Sequence, residues 1–423
     1  MRDDADMRDD ADMRDKELYS KILGIETPWH VANVELSVTE GKVEVFLEHD
    51  GKKPSKCSVC DKPSPGYDRR QKKWRHLDTC QFQTLLIANV PRTQCSEHGV
   101  KTIQVPWAEP NSGFTALFEA LVIDWLKEAT TRAVAQQMKL SWNAIDGIQQ
   151  RAVARGLARR VHDDPKRLAV DETSFQKRHE YVTVVTDHEK GIVLHVADNH
   201  KADSLNEYFE TLTTDQKAGI ECITMDMWKP FIKAVSLHVP EARERIAFDK
   251  FHVAQYLGNA VNKVRIEEHK ALMATGSDLL KGTRFDWLTN PENMSDEKWE
   301  AFEPLRDSKL KTARAWAIRE MAMTLWDYTS RAWAIKAWKR WLIWALRCRL
   351  EPVRKVAKMI REHLWGIINA IVLKVDNGRA EAMNGKIQRL KGRAYGYRNR
   401  ERFKTAIYFH CGGLDLYPRG VIR

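Results

Sequence analysis

The 423-residue sequence contains no apolar run near the roughly 20 residues that cross a bilayer, which excludes a conventional spanning helix. Its first residues, MRDDADMRDDADMRD, have no apolar stretch, so no secretory signal is expected there. They form an acidic six-residue repeat, and residues 1–20 read as a solvated, disordered tail. Cysteine is scarce: 7 residues in so long a chain build no disulfide scaffold and point to a reduced, cytoplasmic setting. Acid is also in deficit. With 58 Asp and Glu against 69 Lys and Arg, the net charge is +11 and the isoelectric point near 9.2. That balance suggests a polyanionic partner, with a merely basic soluble protein as the alternative. A hydrophobic content of 43% and mean hydropathy of −0.52 describe a soluble chain with real cores.

What is present changes character along the chain. Residues 28–50 alternate apolar and polar around Glu40-Gly41, a β-hairpin pattern, and residues 81–106 continue as short strands. From Phe114 the period turns helical, placing Phe114, Leu117, Phe118, Leu121 and Leu126 on one face. Residues 130–154 read as two short helices around a tight turn, with Ser141 placed to cap the second. Between Leu168 and Phe248 the order is three strands, a helix, a strand, a helix and a strand. Residues 253–373 are almost wholly helical, and 9 of the 15 tryptophans lie between Trp287 and Trp365. Most of these should be packed core, while some exposed Trp or Arg could instead hold a flipped base or an unpaired strand.

Three constellations carry chemistry. Cys57-Ser-Val-Cys60 and Cys95-Ser-Glu-His98 are two knuckles separated by β-like sequence, the donors and spacing of one tetrahedral, structural zinc. His76 and Cys80 are rival ligands. The helix pair at 130–154 has small Ala133 and Ala135 at its packing positions, and Trp142, Asn143, Gln149, Gln150 and Arg151 on or near its second helix. This is the pattern of a helix-turn-helix whose second helix enters a major groove. A plain helical hairpin has the same pattern, and the basic chain with its zinc knuckles favours the DNA reader.

The third constellation is acidic. Asp171 closes LAVDE, and Asp226 closes the fourth strand, IECITMD. Three strands, a helix and a fourth strand is the order of a ribonuclease-H-like sheet, in which the first and fourth strands are neighbours. Two carboxylates so placed repel unless a cation lies between them, so a site for two magnesium (or manganese) ions is expected, with chemistry on a phosphodiester. Glu381, on a basic amphipathic helix, is the candidate third ligand. Between Lys386 and Lys404 there are eight Lys or Arg and one acid, interleaved with Tyr395, Tyr397 and Phe403, as suits a phosphate-tracking surface. Lys386, Arg389, Lys391, Arg393, Arg398 and Arg400 are the DNA-binding candidates there, beside Trp142, Asn143, Gln149 and Arg151 upstream. Asp249, ending a fifth strand, is a possible auxiliary acid, and Glu172 is expected on the sheet face opposite Asp171.

LAVDETS, TMDMWKPFIKAV, AFDKFHVAQYL and NGRAEAMNGKIQRLKGRAYGYRNRERF, in this order after the CSVC and CSEH knuckles, resemble transposases of the ISL3 group of bacterial insertion sequences. The resemblance covers roughly residues 30–415. It implies a DDE transposase with Asp171, Asp226 and Glu381 as catalytic, metal-holding triad, and His252 within a family motif. The second knuckle departs from the commoner Cys-x-x-Cys, and Ala382 stands where glycine commonly follows the acid. The expected architecture is multidomain α/β. A disordered tail (1–20), a zinc ribbon (21–107) and a helix-turn-helix domain (108–165) precede a ribonuclease-H-like catalytic domain, a mixed sheet with flanking helices (166–265 and 366–423). A long all-helical, Trp-rich insertion (266–365) interrupts it. The expected activity is cleavage and strand transfer of double-stranded DNA, terminal inverted repeats and target alike, by a homodimer at the bacterial nucleoid. A regulator without catalysis and a ribonuclease-H-type nuclease are the alternatives.

Overall fold

The computed structural model describes residues 15–51, 55–161, 164–176, 180–198, 202–375 and 378–421. They form two compact units, one of residues up to Arg160 together with those from Leu414 on, the other Val161–Gly413.

The first unit opens with helix α1 (15–23). Tyr19 on α1 is buried in the core, so the solvated segment read through residue 20 does not reach that far; residues 1–14 lie outside the described residues. A five-stranded sheet follows: β1 (Trp29–Ser37), β2 (Lys42–His49), β3 (Gly66–Arg75), β4 (Gln83–Cys95) and β5 (Gly99–Thr102). The order is β1-β2-β4-β3, with β5 paired to β4. β1 and β2 are the expected antiparallel hairpin, turning at Gly41 with φ +64°. Alternate residues Val43, Val45, Leu47, Leu86, Ala88 and Val90 point into one core, closed by edge-on contacts of Trp107 with Trp29 (4.8 Å) and Trp74 (5.4 Å).

Three helices complete this unit: α2 (Ala116–Glu128), α3 (Thr131–Gln137) and α4 (Trp142–Arg159). Each starts at a hydroxyl cap, Thr115, Thr130 and the expected Ser141, whose oxygen accepts from the third residue's amide. On α2 the buried face is Phe118, Val122, Ile123 and Leu126, while Leu117 and Leu121 are 37% exposed. The face expected from sequence is thus rotated, because α2 also buries Glu119, whose partners are Arg151 and Arg155 of α4 and Ser112. The chain returns at its C-terminal end: Arg159 donates to the Tyr417 carbonyl (2.6 Å) and pairs with Asp415 (2.9 Å), and Tyr417 donates to Asp124 (2.6 Å). Leu414 packs so closely on Gly156 that a Cβ there would lie 2.7 Å from the Leu414 Cβ, which is why α4 carries a glycine. The described residues from Leu414 on, expected with the acidic sheet, belong to this unit instead.

The second unit is built on β6 (Arg167–Gln176), β7 (Glu180–Asp187), β8 (Ile192–Ala197), β9 (Cys222–Met225) and β10 (Ile246–Phe248), in the order β10-β9-β6-β7-β8. β6-β7-β8 are antiparallel, while β9 runs parallel to both β6 and β10. Between β8 and β9 lie α5 (Ala202–Glu210) and α6 (Thr214–Gly219); α7 (Lys229–His238) and α8 (Ala242–Arg245) lead to β10. Then come α9 (Lys250–Ala274), α10 (Asp296–Arg306), α11 (Lys311–Thr324), α12 (Arg331–Arg347), α13 (Glu351–Val372), α14 (Gly378–Arg393) and α15 (Arg400–Cys411). Leu168, Val170, Ile223 and Phe248 of the sheet share one continuous core with Trp287, Trp316, Trp338 and Ile367 of the helices. α13 approaches so near that a Cβ on Gly366 would lie 2.5 Å from the Phe248 ring. The expected edges of the helical segment, 265/266 and 365/366, fall inside unbroken α9 and α13, so both helices serve the sheet and the Trp-rich layer at once. On the other sheet face, Phe175, Val182, Val184, Val193 and Val196 pack against Met383 and Ile387 of α14 and Phe403 and Ile407 of α15.

Candidate active site and metal centre

The two knuckles meet. Ligand atoms of Cys57, Cys60, Cys95 and His98 all lie within 4.8 Å of one another. Cys60 Sγ is 3.7 Å from Cys95 Sγ, and His98 Nδ1 is 3.6 Å from Cys95 Sγ and 3.9 Å from Cys57 Sγ. Zinc–sulfur bonds of about 2.3 Å at tetrahedral angles require sulfurs about 3.8 Å apart, so the donors fit zinc as they stand. Each knuckle ends on a residue of positive φ, Asp61 at 59° and Gly99 at 68°, which turns the chain back into the sheet. A hydrogen bond with His98 draws the Cys95 thiol down to about 6, making it a thiolate at neutral pH. The rivals are elsewhere: Cys80 is exposed, and His76 is buried against the Thr115 hydroxyl at 2.9 Å.

The acids assemble around the parallel strands. Ala169 of β6 stands opposite Thr224 of β9, so two residues on, Asp171 and Asp226 come level on one face. Phe248 of β10 stands opposite Met225, which brings Asp249 level with Asp226. Asp171 does not end its strand, as the sequence suggested, because β6 runs on to Gln176; it sits where the pairing with β9 stops. The row is held from both ends. Asp171 accepts from the Glu172 amide (2.6 Å) and from the side chain of Asn384. Asp226 accepts from the Met227 amide (2.6 Å) and the Tyr256 hydroxyl (3.2 Å), with His252 Nδ1 at 3.9 Å. Asp249 caps α9 by accepting from Phe251 N at 2.6 Å.

Like charges in a half-buried setting disturb titration. Burial, with the charge of Asp226 adding, raises Asp171 above the ordinary carboxylate range against three opposing partners. Burial and then the charges of Asp171 and Asp226 push Glu172 to about 7. Burial, with Asp171 and Glu381 adding, pushes Asp249 to about 6. Glu172 therefore answers electrostatically to the same acids, and to His252, although it alternates away from Asp171. Glu381 is exposed on the first turn of α14 and reaches the row through its charge on Asp249. Among the described residues, the acids do not close to within 4.8 Å as a group, as the zinc ligands do.

Asn384 was not foreseen. Asn384, Gln388 and Lys391 recur at i, i+4 and i+7 on α14 and bind Asp171, Thr173 and Ser174 in turn, with Gln388 donating to Thr173 Oγ1 at 2.6 Å and Lys391 to the Ser174 carbonyl at 2.7 Å. This stripe lays α14 along β6. It also engages Lys391 with β6. Arg400 is paired with Glu180 at 3.3 Å and lies 5.6 Å over Phe175. Lys386, Arg389, Arg393 and Arg398 are exposed, as is Tyr395, whereas Phe403 is fully buried and offers no platform.

In the helix-turn-helix, Trp142 and Asn143 stand exposed at the start of α4. Gln149 is buried, and Arg151 donates through Nε (3.0 Å) and Nη2 (2.6 Å) to Glu119, so neither is presented to a groove. Arg155 joins the same carboxylate at 2.9 Å and Glu109 at 2.5 Å.

Three family profiles match the chain in this order. A profile described as zinc-finger of transposase IS204/IS1001/IS1096/IS1165 covers residues 53–98, and one described as helix-turn-helix domain of transposase family ISL3 covers 103–153. A third, described as transposase, covers residues 168–407, more than half of the chain. A zinc ribbon, a helix-turn-helix and a transposase domain in this order define a DNA-binding transposase. The chain belongs to the ISL3 family. It is 27% identical over 372 residues to the transposase for insertion sequence element IS1557 of Mycobacterium tuberculosis, covering 81% of this chain and 83% of that one. The transposase for IS1001 of Bordetella parapertussis is 24% identical over 332 residues, covering 77% and 81%. The zinc-finger match and the Cys3His geometry together support a structural zinc. No described helix is long and apolar enough to cross a membrane.

Proposed function

We propose that the second unit is a ribonuclease-H-like catalytic domain whose Asp171, Asp226 and Glu381 hold divalent cations, magnesium or manganese, for DNA strand cleavage and strand transfer. Hydrolysis at the element's end frees a 3′ hydroxyl, which then attacks a target phosphodiester, forming the new phosphodiester as the target strand's own 3′ oxygen leaves. The observation that carries this reading is the level placement of Asp171 and Asp226 on adjacent parallel strands, with α14 laid along β6 so that Glu381 stands at their rim. When bound, the cations would activate the attacking oxygen and stabilise the leaving one. Asn384 fixes one oxygen of Asp171, and Tyr256 with His252 fixes Asp226, so the carboxylates are oriented before substrate arrives. The half-buried setting that raises Asp171, Glu172 and Asp249 is one that a cation would relieve. α9 to α13 form the helical insertion within this fold. The zinc ribbon and the exposed start of α4 read the terminal inverted repeats, the cations of α14 track phosphates, and two copies join two ends at the nucleoid.

Purified protein, magnesium and labelled terminal-repeat duplex test this directly. Asp171→Ala, Asp226→Ala and Glu381→Ala should each remove strand cleavage while end binding stays within about threefold, since end binding is assigned to the zinc ribbon, α4 and the Lys and Arg side chains of α14. Cleavage that survives any one substitution removes that residue from the triad. End binding without cleavage by the wild type would favour a regulator.

A further inference from the structure

α12 has two faces of different chemistry. Ala334, Trp338, Trp341, Leu342 and Ala345 are buried. Opposite them Trp333, Lys336, Arg340, Trp344 and Arg347 fall on a single stripe by helical spacing. Trp333 is 60% exposed and Trp344 39%, whereas Trp287 and Trp338 in the same helical layer are wholly buried. The segment can bury tryptophan, and at these two positions it does not. α12 has no Asp or Glu. None of Lys336, Arg340 and Arg347 has a carboxylate partner among the described residues, and Lys336 lies 5.0 Å over the Trp333 ring. A scattered exposed tryptophan needs no explanation, but two alternating with three uncompensated cations on one face do.

We infer that this stripe is a binding site for single-stranded DNA, with Trp333 and Trp344 stacking on unpaired bases and Lys336, Arg340 and Arg347 holding the phosphates between them. The cations alone would suit duplex phosphates. The indole faces need bases whose own faces are free, and those of a duplex are taken by their neighbours. Eleven residues at about 1.5 Å each set the two indoles about 16 Å apart along the helix, room for several unstacked nucleotides. The inference rests on the transposase reading only for the source of the strand, an element end opened or cut during the reaction.

The test is fluorescence anisotropy of a labelled oligodeoxythymidine of about 20 nucleotides with the full-length, zinc-loaded protein. Trp333→Ala with Trp344→Ala should weaken binding about tenfold per indole, the size of one lost stacked base, and Trp333→Phe with Trp344→Phe should retain most of it. Lys336→Gln with Arg340→Gln and Arg347→Gln should reduce the slope of log affinity on log salt by about 2, at about 0.7 per phosphate. Far-UV circular dichroism and zinc content equal to the wild type confirm the fold. Oligonucleotide binding unchanged in both sets overturns the proposal. Unchanged binding with a halved mass in sedimentation overturns it in favour of a contact between copies. Duplex-end cleavage is scored on the same preparations: loss of oligonucleotide binding supports the stripe even if the wild type does not cleave, and intact cleavage with unchanged binding removes the stripe alone.

Discussion

Arg151 lies on the helix expected to read DNA, yet its guanidinium is spent inside the protein, and replacing it with alanine decides which role it has. Both of its bonds end on one oxygen of Glu119, a carboxylate 1% exposed on α2. After the change Glu119 keeps Arg155 at 2.9 Å and Ser112 at 2.8 Å, so no buried charge is left alone. The cost is therefore that of charge-assisted hydrogen bonds from a group 31% exposed, about 2 kcal/mol rather than the larger penalty of a stranded ion. For a unit of this size each kcal/mol moves the midpoint by about 2–4 °C, so the melting transition of the first unit should fall by about 4–8 °C. Duplex affinity measured below that transition should keep its salt dependence, whereas an arginine on a phosphate would contribute about 0.9 to the slope. Differential scanning calorimetry and anisotropy titrations at several salt concentrations give both quantities. An unchanged midpoint with a slope lowered by about one would refute the strut and restore Arg151 as a DNA contact. Asn143→Ala, exposed and outside this network, is the matched control, expected to lower affinity with no loss of stability.

Two further outcomes follow from the metal chemistry. Cys57→Ser should lower zinc from about one ion per chain to none by atomic absorption and weaken binding of the terminal-repeat duplex, because a three-ligand site no longer staples the knuckles; zinc retained at one per chain would remove Cys57 from the set. In the second unit Glu172 titrates near 7 instead of 4.5, so between these values the folded chain keeps a proton that the unfolded chain has released. Metal-free stability should then fall as pH rises from about 4.5 to 7, Glu172→Gln should make that fall smaller while leaving the part that Asp249, raised to about 6, contributes, and magnesium should reverse the fall; a metal-free stability that rises across the window contradicts the burial of these carboxylates.

The parts legible in the sequence are those whose signal is local or periodic. The cap at Ser141, the hairpin at Gly41 and the strand order around β6 each leave a mark within a few residues. β3 left none, since GYDRRQKKWR is an edge strand whose first six residues are exposed and carry no alternation. α2 was misread for a different reason: a carboxylate at position 119 looks solvent-facing until two arginines more than 30 residues away claim it, and the hydrophobic face turns with it. The same nonlocality governs the acidic site. Asp171 and Asp226 could be paired from strand order alone, because parallel register is set by alternation. Asn384 could not, because its meaning depends on which helix crosses β6 and at what height. Yet the stripe Asn384, Gln388 and Lys391 at i, i+4 and i+7 was visible on an otherwise cationic helix. Polar residues at core spacing on a basic helix mark a face that binds protein, and the cations around them, Lys386, Arg389 and Arg393, stay exposed on the face we propose for phosphate.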